Sequence, residues 1–293
     1  MGRLDELFGT SRAPGEGGSD LERLEGIEEA ASSGEFPVAI DLLDHLEKEE
    51  NVFLGVQMVL RSLMDYFEEL TPEEVSSYLR ELIPIINGIS TWRYRALLLG
   101  KVAVLYYRIE DDFNGDIALK SSINLAYAAG EDVLIEILEE LIKFGILEKA
   151  AHAFSLVKDR KKVDYLLGKV AEYFYLRGDE EKALKALDYI EDPFHRAVTF
   201  YRLALIEAER DRERALGFIE LAIENAKRIE NRYAKIELLM KLSDVRAKLT
   251  GEGISLGQIL KESLGELPKD HSNANEEDQD REYLQPSNPH QEN

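Results

Sequence analysis

The sequence has no cysteine and a single tryptophan among its 293 residues. Without a thiol there is no disulfide, no thiolate-bound metal, no iron–sulfur cluster and no cysteine nucleophile. Positive charge is scarce as well: 36 Lys and Arg stand against 58 Asp and Glu, a formal net charge of −22. A field of that sign repels phosphate backbones and anionic headgroups, so nucleic acid drops down the order of partners and no membrane partner is expected. Long apolar runs are missing too. The most apolar stretch, residues 96–107, is interrupted by Lys101 and is far shorter than the roughly 20 residues that cross a bilayer. Residues 1–10 carry Asp5 and Glu6 where a secretory signal has a basic start and an apolar run, and Glu6 stands where a myristoylation signal needs Ser or Thr. A cytoplasmic location is the expectation.

What the chain does have is enough apolar side chain for a core, at 44% hydrophobic residues. These recur at helical spacing, as in Leu134, Ile137, Leu138, Leu141 and Ile142, and no alternating stretch competes with them. The expected fold class is all-α. Residues 9–19 hold four glycines and a proline, and residues 266–293 are rich in Asn, Gln, Pro, Asp and Glu with few aliphatics. This divides the chain into a flexible N-terminal segment at 1–19, a helical body at 20–265 and an acidic, polar tail at 266–293. The N-terminal segment includes a short amphipathic piece at 3–8 with the pattern of a docking helix. Residues 1–265 contain only two glutamines, Gln57 and Gln258, which points to a thermophilic source.

An internal repeat is plain. The hexapeptide Leu98-Leu99-Gly100-Lys101-Val102-Ala103 recurs letter for letter as Leu166-Leu167-Gly168-Lys169-Val170-Ala171, an offset of 68 residues. Equivalent points fall at Ile27, Ser62, Ala103, Leu138, Ala171, Ala204 and Ser243, implying seven helix pairs. Each first helix closes at a glycine or acidic turn, such as Gly178 with Asp179 as cap. Residues 165–193 resemble a tetratricopeptide repeat, with Leu167, Ala171, Phe174, Gly178, Ala183, Leu187 and Pro193 at that family's spacing. Alanines let helices approach to about 8 Å where they cross, and the aromatic fills the remaining space. Residues 200–226 and 134–157 match less fully, and residues 52–87, with Pro72 and Pro84, fit poorly. The resemblance implies a right-handed α-solenoid of about seven antiparallel pairs.

Signatures of chemistry are thin. There is no phosphate-binding glycine loop, no dinucleotide fingerprint and no nucleophile elbow. No catalytic residue, metal ligand set or cofactor is expected. Glu148 precedes His152, and Glu191 precedes His195, by one helical turn, a spacing read first as a surface ion pair and second as a ligand pair. Residues 112–116 have the alternating oxygens of a calcium loop, but Ile123 takes the place of the bidentate glutamate. An interhelical turn with positive φ at Asn114-Gly115 is the better reading. The one dense basic cluster is Lys158, Arg160, Lys161 and Lys162. Gly100 and Gly168 mark either close helix packing or a spot cleared for a ligand backbone.

The leading functional expectation is a non-catalytic scaffold that binds another protein or a peptide, since stacked pairs present an extended surface. Carried over from the family, the groove would be lined by Gly100, Val104, Tyr107, Gly168, Glu172, Tyr175, Tyr201, Arg202 and Leu205. Tyr106 and Phe174 take the family's buried aromatic position, which turns Tyr107 and Tyr175 towards the groove. Of the positions that hold a chaperone's C-terminal carboxylate in that family, only Arg202 has a suitable side chain, so that ligand is not expected. A helical-repeat enzyme or small-molecule-binding protein is the second reading, and an RNA-binding array the third.

Overall fold

The computed structural model describes residues 19–255, 257–259 and 261. The expected docking motif at 3–8 and the expected tail at 266–293 lie outside the described residues. Among the described residues there is no strand and there are thirteen helices of eight residues or more. They are α1 (Asp20–Ser32), α2 (Phe36–Leu43), α3 (Glu49–Asp65), α4 (Pro72–Gly88), α5 (Trp92–Arg108), α6 (Asp112–Ala129), α7 (Glu131–Lys143), α8 (Leu147–Phe154), α9 (Arg160–Leu176), α10 (Glu180–Asp188), α11 (Pro193–Glu207), α12 (Arg212–Ala226) and α13 (Arg232–Thr250). None of them is long and apolar enough to cross a membrane. The chain divides into two compact units between Val157 and Lys158, so that α1–α8 belong to the first and α9–α13 to the second.

Local chemistry sets the helix ends. Ser19 with Glu22 and Thr71 with Glu74 form capping boxes, while Asp111, Asp159, Asp179, Asp192, Asp211 and Asn231 each accept a backbone N–H in the first turn that follows. Two residues past the ends of α1, α7 and α9 stand Gly34, Gly145 and Gly178, all left-handed with φ of 78–80°. The same turn after α5 is made by Glu110 at φ 62°, the one non-glycine residue with positive φ among those described. The expected turn at Asn114-Gly115 is therefore displaced. Both residues lie inside α6, whose N-cap is Asp111, and the reversal occurs at Glu110, four residues before Asn114.

Within each unit an odd-numbered helix packs on the even-numbered one after it, and the odd helices stack on each other, α1 to α3 to α5 to α7 and α9 to α11 to α13. All seven repeat markers, from Ile27 to Ser243, fall on odd helices. Small residues sit where the helices meet: Ala103, Ala171, Ala183, Ala204, Ala215 and Ala222 are wholly buried. Gly100 and Gly168 serve the same end. A Cβ at Gly100 would lie 3.2 Å from Ile137 of α7, and one at Gly168 would lie 2.5 Å from Thr199 Oγ1 of α11. Close packing accounts for both.

Carboxylates tie one odd helix to the start of the next. Asp20, at the head of α1, accepts from the backbone N–H groups of Glu47 and Lys48 (both 3.1 Å) and from Asn51 Nδ2 (2.8 Å). Glu49, at the head of α3, accepts from Ser90 N and Thr91 N at 2.9 and 2.8 Å. In the second unit Asp164 Oδ2 accepts from Glu191 N and Asp192 N at 3.1 and 2.7 Å, and its Oδ1 lies 3.1 Å from Arg160. Hydrogen bonds from Asn51 and the Glu47 and Lys48 amides hold the Asp20 carboxyl down to about 2, and those from Thr91 and Ser90 do the same for Glu49. Asp164 goes the other way, because burial outweighs its hydrogen bonds and raises its pKa.

Candidate functional site

The odd helices of each unit carry half-buried side chains that reach across to the neighbouring odd helix. In the first unit Phe53 of α3 and Tyr94 of α5 stack with centroids 4.4 Å apart and planes 19° from parallel. Further along, Arg93 of α5 pairs with Glu136 of α7, and Lys101 Nζ lies 3.1 Å from Glu140 Oε1. Burial raises the Glu136 pKa in spite of Arg93. At the far end of α5, Arg108 lies over the Phe67 ring at 3.6 Å, with Phe144 at 5.4 Å, and donates to Met64 O. Burial lowers its pKa.

In the second unit the corresponding rungs join α9 to α11. Arg202 Nη1 donates to Glu172 Oε1 at 2.8 Å, and Lys169 Nζ stands 3.8 Å from Glu172 Oε2. The side chains of Glu172 and Arg202 keep 18% and 19% of their exposure, so the pair is reachable from solvent but largely spent on itself. Lys169 and Arg202 both lie near the Tyr165 ring, at 5.6 and 5.9 Å. His195 is buried between Tyr165 and Phe194, with centroids at 6.2 and 5.4 Å. It is not the surface ion pair the sequence suggests. Desolvation pushes its pKa down to about 4 despite Asp192. His152 is exposed, and its Nδ1 meets the Glu148 backbone carbonyl at 2.7 Å rather than the carboxylate.

The nine residues expected to line a groove divide sharply. Glu172 and Arg202 are brought together as a pair, and Leu205 is 40% exposed. Tyr201 is half-buried, its hydroxyl pKa raised by burial and then by Asp244. Tyr107 is half-buried over Gly115, where a Cβ would stand 2.7 Å from its ring, and it donates to Asp116 at 2.6 Å beside Lys149. Gly100, Val104, Gly168 and Tyr175 are buried and do not line a surface. Tyr175 corrects the expected register. It packs edge-on against Phe218 at 5.5 Å, its hydroxyl bonded to Glu207 and to Arg214 Nη2, whereas Phe174 is only partly buried beside Tyr173. The aromatic that faces inward is chosen by α12, which the local sequence does not reveal.

Sequence reasoning missed Phe53, Tyr94, Glu136 and Glu140, which lie outside the duplicated hexapeptide; their half-apolar helical spacing was the only available signal. In the basic cluster Asp159 caps α9, and Arg160 is bound to Asp164, Glu191 and the Tyr189 carbonyl. Among the described residues no group of three or more His, Asp or Glu side chains is placed to hold a metal ion. No family model matches the chain, and no curated protein matches it significantly.

Proposed function

We propose that the chain is a tetratricopeptide-like, right-handed α-solenoid of about seven helix pairs and that it works in the cytoplasm as a non-catalytic scaffold for another protein or peptide. The observation that supports this reading is the set of rungs between odd helices within each unit: Phe53 on Tyr94, Arg93 with Glu136 and Lys101 with Glu140 in the first, and Glu172 with Arg202 in the second. Aromatic and arginine side chains, here Phe53, Tyr94, Arg93 and Arg202, are residue types on which protein interfaces concentrate their energy. Because each rung is fixed from two helices, a partner orders few side chains on binding.

The test is a pair of double variants, Phe53→Ala with Tyr94→Ala and Glu172→Ala with Arg202→Ala, used as bait against a native lysate beside the unaltered chain. The expected result is circular dichroism like that of the parent together with loss of a protein the parent captures. Recovery of every captured protein by both folded variants overturns the assignment of this surface.

A further inference from the structure

In the second unit the starts of α9 and α11 and the turn before α13 enclose a cleft of about 310 Å³. That volume is at the small end of the range for ligand sites. Its floor includes Phe194 and Ile229, both almost fully buried, and its rim carries Lys161, Arg228, Asp192 and Glu230. Lys161 and Arg228 make no ion pair among the described residues, and both are exposed. Asp192 spends one carboxylate oxygen on His195 N at 2.9 Å, as the cap of α11. The cleft thus offers two cations and two carboxylates.

A simple anion gains on Lys161 and Arg228 what it loses on Asp192 and Glu230, and a simple cation does the reverse. A molecule with both charges on neighbouring atoms satisfies both pairs at once. We infer that this cleft binds a free α-amino acid, its carboxylate towards Lys161 and Arg228 and its ammonium towards Asp192 and Glu230. A longer peptide brings only one of its charged ends into so small a space. The site shares no residue with the rungs on the odd helices, so its failure leaves the scaffold reading untouched.

The full-length ¹⁵N-labelled protein titrated with L-leucine, N-acetyl-L-leucine and L-leucinamide tests this. L-Leucine should give saturable shifts at the Phe194 and Ile229 amides and bind at least about tenfold more tightly than either singly charged analogue, the equivalent of one well-formed ionic contact. Arg228→Gln should weaken L-leucine and N-acetyl-L-leucine but not L-leucinamide. Glu230→Gln should weaken L-leucine and L-leucinamide but not the acetylated form. Both sites are exposed, so the dispersed spectrum of each variant verifies its fold. Absence of saturable shifts, or equal binding of the three compounds, overturns the inference.

Discussion

At Gly168 a methyl group would stand 2.5 Å from Thr199 Oγ1, while at Gly217, in the middle of α12, it would meet nothing within 4 Å. Thr199 cannot yield, since it is 3% exposed and its hydroxyl donates to the His195 carbonyl. Alanine is favoured over glycine in a helix by about 1 kcal/mol, and that gain is unopposed at Gly217. Gly217→Ala should therefore stabilise the protein by about 0.5–1 kcal/mol, and Gly168→Ala should destabilise it by about 1–2 kcal/mol once overpacking is set against propensity. Urea midpoints measure both. His195 gives a second residue-scale prediction. Its imidazole titrates near 6.5 when unfolded and near 4 when buried, so the unfolded chain holds more protons in that window. Stability should be complete above pH 6.5 and fall as the pH drops towards 4, and this limb should flatten in His195→Gln when melting temperature is followed against pH. The sequence shows His195 one turn after Glu191 and suggests a surface pair, but burial is decided by Tyr165 on a different helix, 30 positions earlier.

The turns that separate the elements were partly legible. Gly178 and Asp179 announce a left-handed stop and a cap, and both are found in those roles. Asn114-Gly115 announces a turn equally loudly and is helical. The Asp111 side chain accepts from Asn114 N at 3.1 Å and starts the helix before the turn signal is reached, and the glycine is needed instead for the Tyr107 ring. The turn that does occur is held by Glu110, in a conformation that costs a residue with a Cβ roughly 1–2 kcal/mol. Glu110→Gly should raise stability by about 1 kcal/mol, against the usual penalty for adding a glycine. A denaturant midpoint that falls instead would mean that Glu110 contributes an interaction larger than the strain it carries.

The net charge is very unevenly spread over the molecule. Residues 1–157 hold 30 acidic and 13 basic side chains, a net of −17, whereas residues 158–293 hold 28 and 23, a net of −5. The first unit therefore repels itself far more strongly than the second, and screening should help the first more. Trp92, the sole tryptophan, lies in the first unit and reports on it alone. Raising salt from ~20 to ~500 mM, which shortens the screening length several-fold, should move the fluorescence midpoint upwards more than the part of the dichroism transition that fluorescence does not see. Coincident transitions at every salt concentration would show that the units unfold as one. The division itself was invisible in the sequence, because the strongest repeat, residues 98–103 against 166–171, has one copy on each side of it and argues for continuity. The seven marker positions were legible because an odd helix must bury one small or apolar face whatever follows it.

The carboxylates at the heads of α1, α3 and α9 all reach forward, to amides that come 27–42 residues later in the chain. On the ribosome each carboxylate is therefore made first and waits, ionised and well hydrated, while the loop it will hold is still being synthesised. The amides never wait. By the time Ser90 and Thr91 emerge, Glu49 has already been made and can receive them.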